Sequence, residues 1–306
     1  MVLPPRLRAG DRVAVCAPAG PVTRPERFRA GLAVLEERYR VVCDPELFAQ
    51  TGYLAGSDER RADELNRYLR DADVRAIFLA RGGYGLMRIL GRLDDAALRD
   101  DPVPIVGFSD ATALLAWARA RAGVASVHGP VVAQLGKLGR DDVAWLVRLL
   151  EDPRPPGDLG WQLESVGEPL PKPHRGALVG GNLCLLSHLA GTPYQVDTER
   201  AIVYLEEVGE PPYRLDRYLT HLQLSGALAG AGAVIAGDFC GCDEPADGYA
   251  GAPSPVGVVD ERLLAMGLPG LCGAPFGHGD RHAALPFGTA AALEDGRLLL
   301  EEAAVS

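Results

Sequence analysis

Between residues 12 and 128, short apolar runs alternate with amphipathic stretches, and this alternation restricts the chain to few folds. Residues 12–17, 41–43, "VRAIFLA" (74–80), "VPIVGF" (103–108) and "VASVH" (124–128) have strand length. Helical spacing separates them. Phe28, Leu32 and Leu35 recur through 24–39, and Ser57 is placed to cap a helix reaching about Leu69. Ala111, Leu114, Leu115 and Ala118 share one face of a helix over 111–121. Strands alternating with helices predict an α/β fold with a doubly wound parallel sheet.

The pattern breaks at residues 152–173, where "DPRPPGDLG" and "GEPLPKPH" carry six prolines. The stretch reads as a linker between a first domain, 1–151, and a second, 174–306. In the second half "AIVYL" (201–205) is a continuous apolar run, expected as a buried strand. Leu215, Tyr218, Leu219 and Leu222 mark an amphipathic helix, and "AVIAGDF" (233–239) another strand. The end reads as short strands with a hairpin turn at Asp295–Gly296.

The 306 residues are 47% apolar and 24% charged, enough for a full core. Net charge is −10 with no long basic run, which argues against a nucleic-acid groove. Six cysteines fit no zinc spacing and no compact disulfide framework; Cys240 and Cys242 are the one close pair and read as two thiols. The N-terminal stretch has no apolar signal core, and no apolar run reaches the roughly 18–20 residues of a membrane span, so a soluble cytoplasmic protein is expected.

"PIVGFSDATALLAW" (104–117) places Ser109 where a buried strand meets a helix. That edge is where open α/β sheets bind their ligands. Gly107 and Ala111, two residues either side, permit a sharp turn that leaves the serine proud, with the N–H of Asp110 facing the same space as half of an oxyanion hole. The bland reading is a helix N-cap at Ser109 or Asp110. "RGGYG" (81–85) lacks the spacing and lysine of a phosphate loop, and a glycine N–H there would complete the oxyanion hole.

A serine nucleophile needs a base and a group to orient it. His174 falls in the linker, His188 inside a helix, His221 on a polar helix face and His282 in a polar loop. His128, ending a strand, and His278, between Gly277 and Gly279, stay open as the base. Glu206 and Glu207 both follow the 201–205 strand and stay open as the acid, against the plain reading of a solvated strand end.

Taken together, "RGGYG", "GFSDATAL", "HGP", "GGNLCLLSHLAGTP", "LEEVGEPPYRLDRYLTHL" and "FGHG", with "LPFG" after it, resemble the LD-carboxypeptidase family of serine peptidases, which includes microcin-immunity proteins. These stretches keep the family's order across most of residues 10–290. The resemblance implies an N-terminal flavodoxin-like domain, related to class I glutamine amidotransferases, and a smaller β-rich swivelling C-terminal domain. It implies a triad of Ser109, Glu206 and His278, with oxyanion donors on Asp110 and, of the Gly82–Gly83 pair, Gly83. It implies hydrolysis of the bond before the terminal D-alanine of murein tetrapeptides in cytoplasmic peptidoglycan recycling, with no cofactor and no metal. The expected partners are that peptide and a second copy of the chain, with no nucleic acid and no membrane. Glu207 stands where the family often has Asp. No long specificity insertion is evident, which favours the carboxypeptidases over the branch that cleaves peptidyl-nucleotides. A non-catalytic ligand-binding module is the remaining alternative.

Overall fold

A computed structural model describes residues 1–170 and 172–306, which form two compact units. The first comprises residues 1–153, 283–287 and 303–306; the second comprises 154–282 and 288–302.

In the first unit the alternation becomes β1 (Arg12–Cys16), α1 (Pro25–Glu36), β2 (Arg40–Cys43), α2 (Asp58–Leu69), β3 (Ala76–Leu79), α3 (Asp95–Asp100), β4 (Ile105–Gly107), α4 (Thr112–Trp117) and β5 (Ser126–His128), then α5 (Val132–Leu135) and α6 (Arg140–Glu151). Strands β1 to β5 are parallel, in the order β2-β1-β3-β4-β5, the flavodoxin-like doubly wound arrangement. Val13, Val15, Ile77, Phe78 and Val106 are fully buried, as continuous apolar runs in a sheet covered on both faces should be. Ser57 accepts a hydrogen bond from the Arg60 N–H and caps α2. Residues 118–122 widen into a single π turn after α4 and stop at Gly123, which is left-handed.

The second unit contains β6 (Gly157–Asp158), β7 (Glu164–Gly167), β8 (His174–Asn182), α7 (Leu183–Leu189), β9 (Ile202–Val208), α8 (Pro212–Leu224), β10 (Ala233–Cys240), α9 (Pro255–Met266) and β11 (Pro269–Cys272). After these the chain supplies β12 (Leu285–Phe287) to the first unit, antiparallel to β5, and returns to the second for β13 (Ala290–Glu294) and β14 (Arg297–Leu300). The second sheet runs β6-β14-β13-β8-β9-β10-β11-β7, with β8 to β11 parallel at its centre. Asp295 and Gly296, both left-handed, form the tight turn between β13 and β14.

The proline-rich stretch is more than a connection. It contributes β6 and β7, and β7 pairs antiparallel with β11 along Glu164–Gly167. Apolar spacing could not show this, because short edge strands carry little alternation and tolerate neighbouring prolines. Pro171 lies outside the described residues, so the expected linker is not described at that position. Among the described residues no helix is long and apolar enough to cross a membrane.

Candidate active site

Ser109 lies at the carboxyl end of β4 with φ of 63°, one of three non-glycine residues in the left-handed region among the described residues. A left-handed serine costs energy and persists only where its surroundings enforce it. Here the enforcement is local. Gly107 ends β4, and a side chain on it would meet Ala111 Cβ at 2.9 Å, so the turn closes tightly only with glycine there. Phe108, the residue before the turn, is extended and buried, and Ser109–Ala111 form one 3₁₀ turn leading into α4. α4 itself is buried throughout, so the turn is fixed from both sides. Ser109 is partly accessible.

The glycine-rich loop packs against this turn. A Cβ on Gly82 would sit 3.2 Å from Ser109 Oγ and 3.0 Å from its Cβ, so any side chain there would crowd the hydroxyl. Gly83, with φ of 110°, faces Gly20 instead, and the Gly20 N–H donates to the Gly82 carbonyl at 3.1 Å. Asp110 does more than follow the serine. Its buried carboxylate accepts the Leu86 N–H at 2.9 Å and that of Gly85, tying the loop to the serine turn. Burial pushes this carboxyl up to about 6, against the opposing pull of the two N–H groups and the Arg61 charge. Arg61, fully buried on α2, donates to the carbonyls of Gly85 (2.9 Å) and Pro18 and pairs with Asp58.

In the second unit Glu206 and His278 meet. His278 Nδ1 lies 2.6 Å from Glu206 Oε2, and Glu206 is fully buried on β9. Gly277 makes the approach possible: its φ is 128°, and a side chain on it would press on Glu206 and Asp238 at 3.1–3.3 Å. The Glu206 carboxylate therefore holds one imidazole nitrogen, as the acid of a triad must. His282, expected in a polar loop, is instead fully buried, with its Nδ1 2.7 Å from the Gly277 carbonyl, so it braces the loop that carries His278.

Glu207 departs from the solvated strand end that the sequence suggested. β9 runs on to Val208, so neighbouring side chains face opposite ways and both glutamates are buried. Glu207 Oε1 accepts from Asn182 Nδ2 (2.8 Å) and the Val208 N–H (2.9 Å), and its Oε2 accepts from the Cys184 N–H (2.8 Å). Burial pushes this carboxyl up to about 6, against those donors. It anchors the turn from β8 into α7.

The remaining histidines are accounted for locally. His128 ends β5, fully buried, edge-on to Phe108 with ring centroids 5.8 Å apart. His174 opens β8 rather than lying in a linker, with Nε2 3.0 Å from the Arg200 carbonyl. His188 is exposed on α7, and His221 Nδ1 is 3.0 Å from Ser187 Oγ. Asp238, on β10, was not singled out from the sequence, although it stands beside the His278 loop. Its only signal was a Gly-Asp pair at the end of an apolar strand. Ser109 belongs to the first unit, and Glu206 and His278 to the second.

Known proteins match along the chain. Residues 13–129 match the LD-carboxypeptidase N-terminal domain and residues 175–293 the LD-carboxypeptidase C-terminal domain. A murein tetrapeptide carboxypeptidase of Pseudomonas aeruginosa is 34% identical over 94% of this chain and 94% of its own length. A muramoyltetrapeptide carboxypeptidase structure from Oxalobacter formigenes is 27% identical, with a TM-score of 0.78 over 94% of this chain and 97% of that one. A microcin C7 self-immunity protein, solved with aspartyl sulfamoyl adenosine, superposes at a TM-score of 0.89 over all of both chains, at 22% identity, a likeness of fold alone. With both domains matched in order and a full-length relative at this identity, the chain is a hydrolase of the LD-carboxypeptidase family.

Proposed function

We propose that the protein is a serine carboxypeptidase that releases the terminal D-alanine of murein tetrapeptides by cleaving the preceding L,D-peptide bond, in peptidoglycan recycling. The observation that carries this reading is the backbone of Ser109, forced left-handed at a strand-to-helix turn. An ordinary helix cap has no need of that conformation. The pair of His278 with a fully buried Glu206 supports it.

In this reading His278 Nε2 takes the Ser109 proton as Oγ attacks the carbonyl carbon. Glu206, bonded to Nδ1, fixes the tautomer and stabilises the imidazolium. The N–H groups of Asp110 and Gly83 receive the oxyanion. His278 then gives its proton to the departing D-alanine nitrogen, and water, deprotonated by the same imidazole, releases the acyl group from Ser109. In this reading the first unit supplies Ser109 and the second supplies Glu206 and His278. The reading places the enzyme in the cytoplasm as a homodimer.

Incubation with a murein tetrapeptide ending in D-alanine, followed by mass analysis, tests the proposal. Loss of that single residue is expected. Intact tetrapeptide alongside cleavage of an aminoacyl-sulfamoyl nucleotide would assign the protein to the microcin-immunity activity instead. Saturable binding of either without cleavage would make it a ligand-binding module.

A further inference from the structure

Two carboxylates, from neighbouring strands, grip the loop that carries His278. Glu206, on β9, bonds the imidazole. Asp238, on β10, bonds the main chain of the same loop. Strands β9 and β10 keep register from Ala233 to Ala236 and then shift before Phe239, leaving Gly237 and Asp238 in a bulge. Bulges re-aim a side chain at the edge of a site, and this one aims Asp238 at residues 276–279. The Asp238 N–H donates to the Phe276 carbonyl at 2.8 Å, and the Gly279 N–H donates to the Asp238 carboxylate. A side chain on Gly279 would run into Asp238 Oδ2, and one on Gly277 would meet Asp238 Cβ at 3.1 Å. Main-chain bonds to Asp238 thus bracket His278 on both sides in sequence.

We infer that Asp238 is a positioning residue for His278, pinning the loop on either side of the imidazole and placing a second negative charge beside it. The inference rests on His278 being the general base of the proposed function. Among the described residues, Glu206 from β9 bonds His278 and Asp238 from β10 lies within electrostatic reach of it; Asp280 and Arg281 follow it in sequence. Glu206 bonds the imidazole Nδ1. Asp238 acts through the backbone and through space, favouring the charged ring that forms as the serine proton is taken. Burial and the nearby Glu206 and Asp280 hold the Asp238 carboxyl above the usual carboxylate range, while the His278 charge pulls it down.

Two variants separate anchoring from charge. Asp238→Asn keeps an oxygen for the Gly279 N–H but removes the charge; Asp238→Ala removes both. The readout is the titration midpoint of the His278 imidazole in full-length protein labelled with ¹⁵N-histidine, assigned against His278→Ala. Both variants should lower the midpoint by about 0.5 to 1 pH unit, as loss of a nearby opposite charge does. The acid limb of kcat/KM for D-alanine release should move down with it. Asp238→Ala should lose about tenfold more kcat than Asp238→Asn, with KM within a few-fold, because only it frees the loop. An unmoved midpoint in Asp238→Asn overturns the inference, and so does equal kcat in the two variants. The titration needs no substrate. A moved midpoint in a protein that releases no D-alanine would sink the proposed reaction and leave the charge effect of Asp238 in place.

Discussion

At the scale of single residues, the serine turn makes the sharpest demands. If Ser109 is the nucleophile, Ser109→Ala should fold normally and lose on the order of 10⁶ in kcat, the usual cost of removing a triad nucleophile. D-alanine release and circular dichroism on the purified variant check both halves. Retention of more than a few per cent of activity would remove Ser109 from the mechanism. Gly82→Ala tests the neighbouring loop. Its new methyl group would lie 3.2 Å from Ser109 Oγ, close enough to crowd a hydroxyl without reaching the core. Activity should fall at least tenfold while the melting midpoint stays within a few degrees. An unchanged kcat would mean the loop yields and does not shape the site. This turn was legible in the sequence because everything that defines it is local: an apolar strand, a small residue on either side and a helical face beginning at Ala111. The choice between His128 and His278 was not, because His278 meets its partner across 72 residues, and no local spacing reports that.

At the scale of elements, β9 carries two adjacent buried glutamates with different partners. The apolar run that marked this strand stops at Leu205, yet the strand continues through Val208, because Asn182 of β8 pairs with Glu206 and Phe239 of β10 with Glu207. Tertiary pairing extended the strand beyond what side-chain hydrophobicity could announce, and so Glu207 looked solvated when it is buried. The two glutamines should therefore fail differently. If Glu206 is the triad acid, Glu206→Gln removes the charge that would stabilise an imidazolium, and activity should drop on the order of 10⁴-fold with little change in melting temperature. Glu207→Gln turns one acceptor into a donor among three N–H groups that now need oxygens. It should cost about 1–3 kcal/mol of stability, visible in thermal denaturation, while the folded enzyme keeps activity within about tenfold. A larger activity loss at Glu207 would transfer the acid's role to it. The bulge in β10 escaped the sequence for a related reason: a single extra residue changes pairing without changing composition.

At the scale of the whole molecule, buried carboxylates set how stability responds to pH. Burial pushes Glu64 of α2 up to about 7, with Arg60 and the Ala17 N–H opposing; Asp110 and Glu207 are each raised to about 6. For each, the folded chain binds a proton more tightly than the unfolded chain does. Stability is then fully present below the ordinary carboxylate range and falls as pH rises through about 6 to 7. Other carboxylates run the opposite way. Asp94, held low by the Ala97 N–H and Arg70, and Asp158, held low by the Gly160 N–H and Arg297, keep their contribution above the ordinary carboxylate range and lose it only as pH falls below that range. Stability should peak near pH 5 and decline toward neutrality, at on the order of 1 kcal/mol for each unit of raised pKa. Melting midpoints from pH 4 to 8 measure this, and Glu64→Gln should flatten the neutral side of the curve. A wild-type midpoint that climbs steadily from pH 5 to 8 would contradict the assignment of these groups.

The edge strand β12 has a consequence for synthesis. It pairs Leu285, Pro286 and Phe287 with His128, Val127 and Ser126, so the last strand of the first sheet emerges from the ribosome after nearly all of the second unit. Until then the backbone of β5 is an open ladder, able to join the same ladder on another nascent chain. At 5–20 residues per second the interval from residue 153 to residue 287 lasts roughly 7 to 27 s. Residues 154–282, most of the second unit, are made inside an unfinished host during that time. A chain terminated at residue 282 would never close the ladder, and it should accumulate in inclusion bodies where the full chain does not.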